Sequence, residues 1–184
     1  KGEYIMKKFL AMMMAMMMAF GAAACGGGEE APVEEPEVSM IELNNEYISM
    51  MIPEDYSDVQ DLEGMVGAGG PGASIIISDP AAADAEVSDI TEDVILMMAG
   101  DAYPDATIVE FENPVNIDGT DAVYATFEGT NADNGMELTV TYILVFYMLD
   151  DVLYEQDICF TYQAGEGTAL EASLDEVVDS ITVG

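Results

Sequence analysis

The chain has 184 residues, enough for one domain with a tail, and carries 37 Asp and Glu against 3 Lys and Arg and no His, a formal net charge of −34. The basic residues are Lys1, Lys7 and Lys8, so from Cys25 onward 36 of the 37 carboxylates stand in a chain without one cationic side chain. This excludes a side-chain phosphate cradle, a nucleic-acid face, an anionic-lipid patch, a Ser-His-Asp triad, a Schiff-base lysine and a histidine-ligated zinc. A hydrophobic content of 51% with only 7 Pro nonetheless argues for a folded domain and against disorder.

Met6-Lys7-Lys8 followed by Phe9 to Ala24 reads as a basic n-region and an apolar h-region, too short for the roughly 20 residues of a spanning helix. Its end, Ala22-Ala23-Ala24-Cys25-Gly26, resembles a bacterial lipobox, with Ala22 where that motif usually has Leu. The resemblance implies a lipid on Cys25 and removal of the leader before it, giving a membrane-anchored, outward-facing lipoprotein. Ala22-x-Ala24 also satisfies an ordinary signal peptidase, which would release the chain instead. Lys1 to Ile5 stand before an already complete leader. Lys1-Gly2-Glu3 can be encoded by a purine-rich ribosome-binding sequence, so Met6 is the expected start and 6–24 the signal peptide. An arbitrary choice of start codon is the alternative.

Residues 25–45 read as an acidic tether: Gly26-Gly27-Gly28 and Glu29-Glu30-Ala31-Pro32-Val33-Glu34-Glu35-Pro36-Glu37 show no apolar periodicity and extend by self-repulsion. The globular domain is then expected over 46–184. Tyr47 to Ile52 is a first strand, stopped by Pro53. A loop follows, ending in Gly67-Ala68-Gly69-Gly70-Pro71-Gly72; lacking a Lys, it is a turn and not a phosphate loop. Ala73 to Ser78 is a second strand. Ser88 to Ala99 has Ile90, Val94, Met97 and Met98 at helical spacing and Gly100 as its stop, with Asp89, Glu92 and Asp93 at the end the helix dipole favours.

Thr107 to Phe111 and Asp121 to Glu128 are strands joined through Asn116-Ile117-Asp118-Gly119. After Asn131-Ala132-Asp133-Asn134-Gly135 comes the longest strand, Met136 to Met148. There Leu138, Val140, Tyr142, Leu144 and Phe146 alternate with Thr139, Thr141, Ile143, Val145 and Tyr147, so both faces expect cover. Asp150-Asp151 turns the chain into Val152 to Tyr162, and a last helix, Thr168 to Ile181, carries Leu170, Leu174, Val177, Val178 and Ile181 on one stripe. The class is α+β: about six antiparallel strands and two main helices.

Ile52-Pro53-Glu54-Asp55-Tyr56 after a first strand, the hairpin from Val140 to Tyr162 and the closing helix around Leu174-Asp175-Glu176-Val177-Val178 resemble PsbP-like domains over roughly residues 45–184. The resemblance implies an α/β/α sandwich around an antiparallel sheet and a non-catalytic binding or assembly module. Photosystem members help to retain calcium and chloride; no ligand of theirs aligns here, and a chain without cationic groups is ill suited to chloride.

Only carboxylate chemistry survives this composition, and no cleft is evident for a glycosidase pair, so no enzyme, catalytic residue or cofactor is expected. Two turns rich in oxygen, Asp118-Gly119-Thr120-Asp121 and Asn131 to Gly135, are candidates for calcium, but neither fits the spacing of a calcium-binding loop and Asp, Asn and Gly are what turns require. No metal ligand is assigned. Two functions remain: a lipid-anchored binding or scaffold module with a protein or ligand partner, and an acidic surface protein that handles calcium or other divalent cations. Cys159 lies in an apolar run with no group to activate its thiol, and is expected buried and inert. With no salt-bridge partner for any carboxylate, salt and mild acid are expected to stabilise the fold.

Overall fold

The computed structural model describes residues 38–163, 165–166 and 168–184. The leader, Cys25 and most of the tether lie outside them. Among the described residues the strands are β1 (Met40–Asn45), β2 (Ile48–Pro53), β3 (Asp58–Leu62), β4 (Met65–Gly70), β5 (Ala73–Ser78), β6 (Ala81–Ala82), β7 (Thr107–Ile117), β8 (Thr120–Thr130), β9 (Glu137–Leu149), β10 (Val152–Tyr162) and β11 (Thr182–Val183). The helices are α1 (Glu92–Ala99), between β6 and β7, and α2 (Ala169–Asp179), before β11.

One antiparallel sheet runs β3-β4-β5-β10-β9-β8-β7, with short β6 also paired to β10. The alternation in β9 suits an interior strand covered on both faces. Leu138, Val140, Tyr142, Leu144 and Phe146 enter a core with Ile95, Met98 and Ala99 of α1. Ile143 and Val145 enter a second core on the opposite face, with Leu170, Leu174 and Val177 of α2 and with Leu43, Ile48, Met50 and Ile52 of a smaller sheet, β1-β2-β11. Each helix therefore covers one face. The chain is α+β, mostly antiparallel sheet with two helices.

Four expectations are corrected. The main sheet has eight strands, not about six, and a three-stranded sheet lies beside it. The last part of the expected tether, Met40–Asn45, is strand β1, because Leu43 and the amide of Asn45 are buried against the larger sheet. Gly67 to Gly70 is strand, not turn. β4 lets Tyr56 lie directly on its backbone, for a Cβ at Gly70 would meet the Tyr56 ring and come within 2.8 Å of the Asp55 carbonyl. Tyr56 is wholly buried, and its hydroxyl accepts the Leu170 N–H at 3.2 Å, so Pro53-Glu54-Asp55-Tyr56 fastens the start of α2 to the sheet. Finally, α1 begins at Glu92 with Thr91 as N-cap, its Oγ1 accepting the Val94 N–H at 3.4 Å. The later start turns Ile95, Met98 and Ala99 inward and leaves Met97 56% exposed; Ile90 reaches the core from the segment before the helix.

Candidate binding groove at the hairpin end

Asp150 and Asp151 both have positive φ (50° and 63°), the conformation of a two-residue hairpin turn whose twist matches its strands. The turn fixes the register of β9 on β10 and sets Tyr147 opposite Tyr154. Their rings stack with centroids 6.3 Å apart, and Tyr47 tilts against Tyr147 at 5.5 Å. Behind the rings lies a buried amide. Gln156 Nε2 donates to the carbonyls of Asn45 (2.9 Å) and Ser78 (2.8 Å), and its Oε1 accepts the Tyr147 hydroxyl at 3.0 Å. Asn45 Nδ2 in turn donates to the Ile77 carbonyl (3.2 Å) and to Asp79 (3.0 Å). This network ties the small sheet to the large one and fixes how Tyr147 stands. Burial first, then the neighbouring Tyr47 and Glu46, push the Tyr147 phenol up to about 12.

Tyr147 also lines a groove of about 540 Å³. The hairpin contributes Phe146, Tyr147, Met148 and Leu153 to it; the segment Glu86-Val87-Ser88 and the β7–β8 turn, Gly119 to Asp121, supply the rest. The first segment is held by β7. Register shifts in that strand mark bulges, and Asn113, within the second, donates to the carbonyls of Val87 (2.8 Å) and Ile90 (2.6 Å). Met148 is 62% exposed and Phe146 buried, so the groove is soft and apolar along the hairpin, with carboxylates of Glu86 and Asp121 beside it.

The turns expected as calcium candidates are occupied with holding the chain. Asp118 Oδ2 accepts the Val183 N–H at 3.0 Å, and Asn116 Oδ1 accepts that of Gly119 at 3.0 Å. Asn131 Oδ1 accepts from Asp133 (3.1 Å) and Asn134 (3.3 Å), and Asn134 Oδ1 from Met136 (2.9 Å). Among the described residues no group of three or more Asp, Glu, His or Cys could hold a metal ion. Cys159 is fully buried beside Tyr142 and Thr161, and burial pushes its thiol up to about 12, which keeps it protonated and unreactive. Cys25 lies outside the described residues.

Neither the groove nor the tyrosine stack is part of the sequence reading. The signal for Tyr147 and Tyr154 was present: a two-residue turn at Asp150-Asp151 makes them cross-strand partners by counting alone. No signal could have brought Glu86 and Asp121 to the same groove, because that placement depends on the bulge at Asn113.

No protein-family model and no curated protein matches the sequence. Solved structures share its fold. Mycobacterium tuberculosis LpqN, described as involved in cell envelope biogenesis, aligns with TM-score 0.51 at 12% identity, over 80% of this chain and 91% of that one. The Saccharomyces cerevisiae Ran-binding protein Mog1p aligns with TM-score 0.50 at 12% identity, over 80% of this chain and 96% of that one. The Mog1-like fold is related to the PsbP-like fold. Among the described residues no helix is long and apolar enough to cross a membrane.

Proposed function

We propose that this chain is a lipid-anchored, extracytoplasmic binding or scaffold module without catalytic activity, held to the membrane through Cys25 and presenting the groove at the β9–β10 end to a partner. The observation that carries the reading is the lining of that groove. Apolar side chains and two carboxylates suit it to hold a partner, whereas Ser88 and Thr120 have no imidazole or amine anywhere in the domain to activate them. The fold agrees: it is shared with a protein described as Ran-binding and with one described as involved in cell envelope biogenesis.

Cys25→Ala, expressed in a bacterium that processes lipoproteins, tests the anchor. Wild-type protein is expected in the detergent phase on partitioning, and the variant in the aqueous phase or as uncleaved precursor. A processed variant that stays in the detergent phase would overturn the anchor. Outward exposure is read with an elastase-type protease on intact cells, since trypsin has no Lys or Arg to cut after Lys8. Protection until the cells are broken would overturn the location.

A further inference from the structure

We propose that the groove accepts an extended, Lys- or Arg-rich peptide segment of a partner protein as an added strand on the free edge of β9. The proposal rests on the binding-module reading and names the partner's chemistry. β9 pairs with β10 as far as Leu149↔Val152, but with β8 only as far as Val145↔Ala122. Beyond Phe146, the last residue that the Ala122↔Val145 pairing ties to β8, the strand from Tyr147 to Leu149 has a ladder partner on one side and the groove on the other. The two-residue turn makes Leu149 and Val152 a hydrogen-bonded pair, and antiparallel alternation then turns the N–H and C=O of Met148 away from β10, towards the groove.

Sheet edges in folded proteins are normally blunted by Pro, Lys, bulges or a cover. The outer edge strand of this same sheet obeys that rule: β7 carries two register shifts and Pro114. Tyr147-Met148-Leu149 carries no Pro, Lys or register shift, and Met148 is 62% exposed. Charge then selects the occupant. Glu86 and Asp121 line the groove in a chain of net charge −34. A second copy, a nucleic acid or an anionic membrane would meet repulsion there, whereas a basic strand brings the cations the domain lacks, one of them within reach of the Tyr147 ring. Main-chain bonds to Met148 would supply affinity and the carboxylates selectivity.

The test uses the full chain in detergent with three probes: a short peptide alternating lysine and valine, the same pattern in glutamate and valine, and the lysine peptide N-methylated at alternate residues. Saturable one-to-one binding of the first, weakened about tenfold or more in each of the others, is expected. Equal binding of the two lysine peptides, or competition by spermine at equal charge, would mean diffuse attraction and overturn strand addition. Met148→Pro removes the edge N–H and should lose binding with the fold intact by circular dichroism. Should that variant be unstable, Met148→Arg keeps the backbone, sets a cation beside Glu86 and Asp121, and should also lose binding; full binding by the arginine variant would overturn the proposal. A photo-crosslinker at Met148, compared in cells with one at exposed Val109 on β7, separates the two readings. Capture at Met148 that the lysine peptide blocks supports both. Capture only at Val109 overturns the groove and leaves the binding module standing, and capture at neither counts against both.

Discussion

β8 and β9 run side by side in the larger sheet, and their two ends are finished in opposite ways. At the end near Thr130, Asp105 accepts both the N–H and the hydroxyl of Thr130 at 2.7 Å, and the Ala132 N–H donates to the Ala102 carbonyl at 2.9 Å. Gly129 sits so close beneath that loop that a Cβ would come within 3.2 Å of Tyr103 Cβ and 3.3 Å of Ala106 Cα. At the other end β9 runs on past β8 with Met148 exposed and a groove alongside. The closed end ties its loop to the strands through these bonds. The open end leaves main-chain groups and apolar surface exposed, and the proposed partner site rests on this asymmetry.

The largest expected effect lies at the closed end. Phe127 is fully buried between Tyr103 (5.4 Å, edge-on) and Tyr142 (6.0 Å, stacked), so Phe127→Ala should cost about 3–5 kcal/mol in chemical denaturation. Met148→Ser at the open end should change stability by no more than about 0.5 kcal/mol. Comparable losses would mean that both ends are closed. Between these extremes lies Gln156→Ala, which strips three partners and leaves the Asn45 and Ser78 carbonyls without it, an expected loss of about 1–3 kcal/mol. Because that amide orients Tyr147, the same variant should weaken lysine-peptide binding, while Phe127→Ala, where folded, should not.

Alkaline titration sharpens the comparison further. Burial pushes Tyr103 at the closed end and Tyr147 at the open end up to about 12. A phenol whose folded pKa is raised favours the folded state below its ordinary value near 10, and that contribution is lost as pH rises through the folded value. Stability should therefore fall between about pH 10 and 12. Tyr147→Phe should lose less of its stability across that window than the wild type. An identical decline in both would show that Tyr147 does not share in it.

How much of this was legible in the sequence follows from how each element is stabilised. β9, β10 and α2 are specified by their own alternation and stripe: Leu138 to Phe146 and Leu170, Leu174 and Val177 are buried where their spacing puts them. β3 and β4 were not legible. Asp58-Val59-Gln60-Asp61 is exposed throughout and Gly67 to Gly70 has little side chain to pattern, so these strands exist through pairing with β5 and through the ring of Tyr56. α1 was displaced because Asn113, more than twenty residues on, holds the carbonyls of Val87 and Ile90 and keeps the helix from starting there. The groove combines both difficulties, since it depends on where β8 stops and on that same asparagine.

The smallest effect concerns the one feature of the closed end that runs against the charge of the whole chain. Crowded carboxylates should make the fold more stable in mild acid, yet Asp105 is held below the ordinary carboxylate range by the hydrogen bonds from Thr130, side chain first and then backbone. A depressed folded pKa contributes stability above the unfolded value, near 4, and loses it as pH falls through the folded one. Asp105→Asn should therefore unfold at a lower temperature than wild type near neutrality, with the gap narrowing below about pH 4. Asp105 is exposed, so the gap is small, but its direction is opposite to the general trend in the same melting curves. Salt separates the two. Screening should relieve the repulsion among surface carboxylates and raise both melting temperatures, while changing the gap little, because short hydrogen bonds are screened far less than charges a Debye length apart. A gap that widens in acid, or that closes with salt at neutral pH, would show that Asp105 acts as one more crowded charge and that Thr130 is not its anchor.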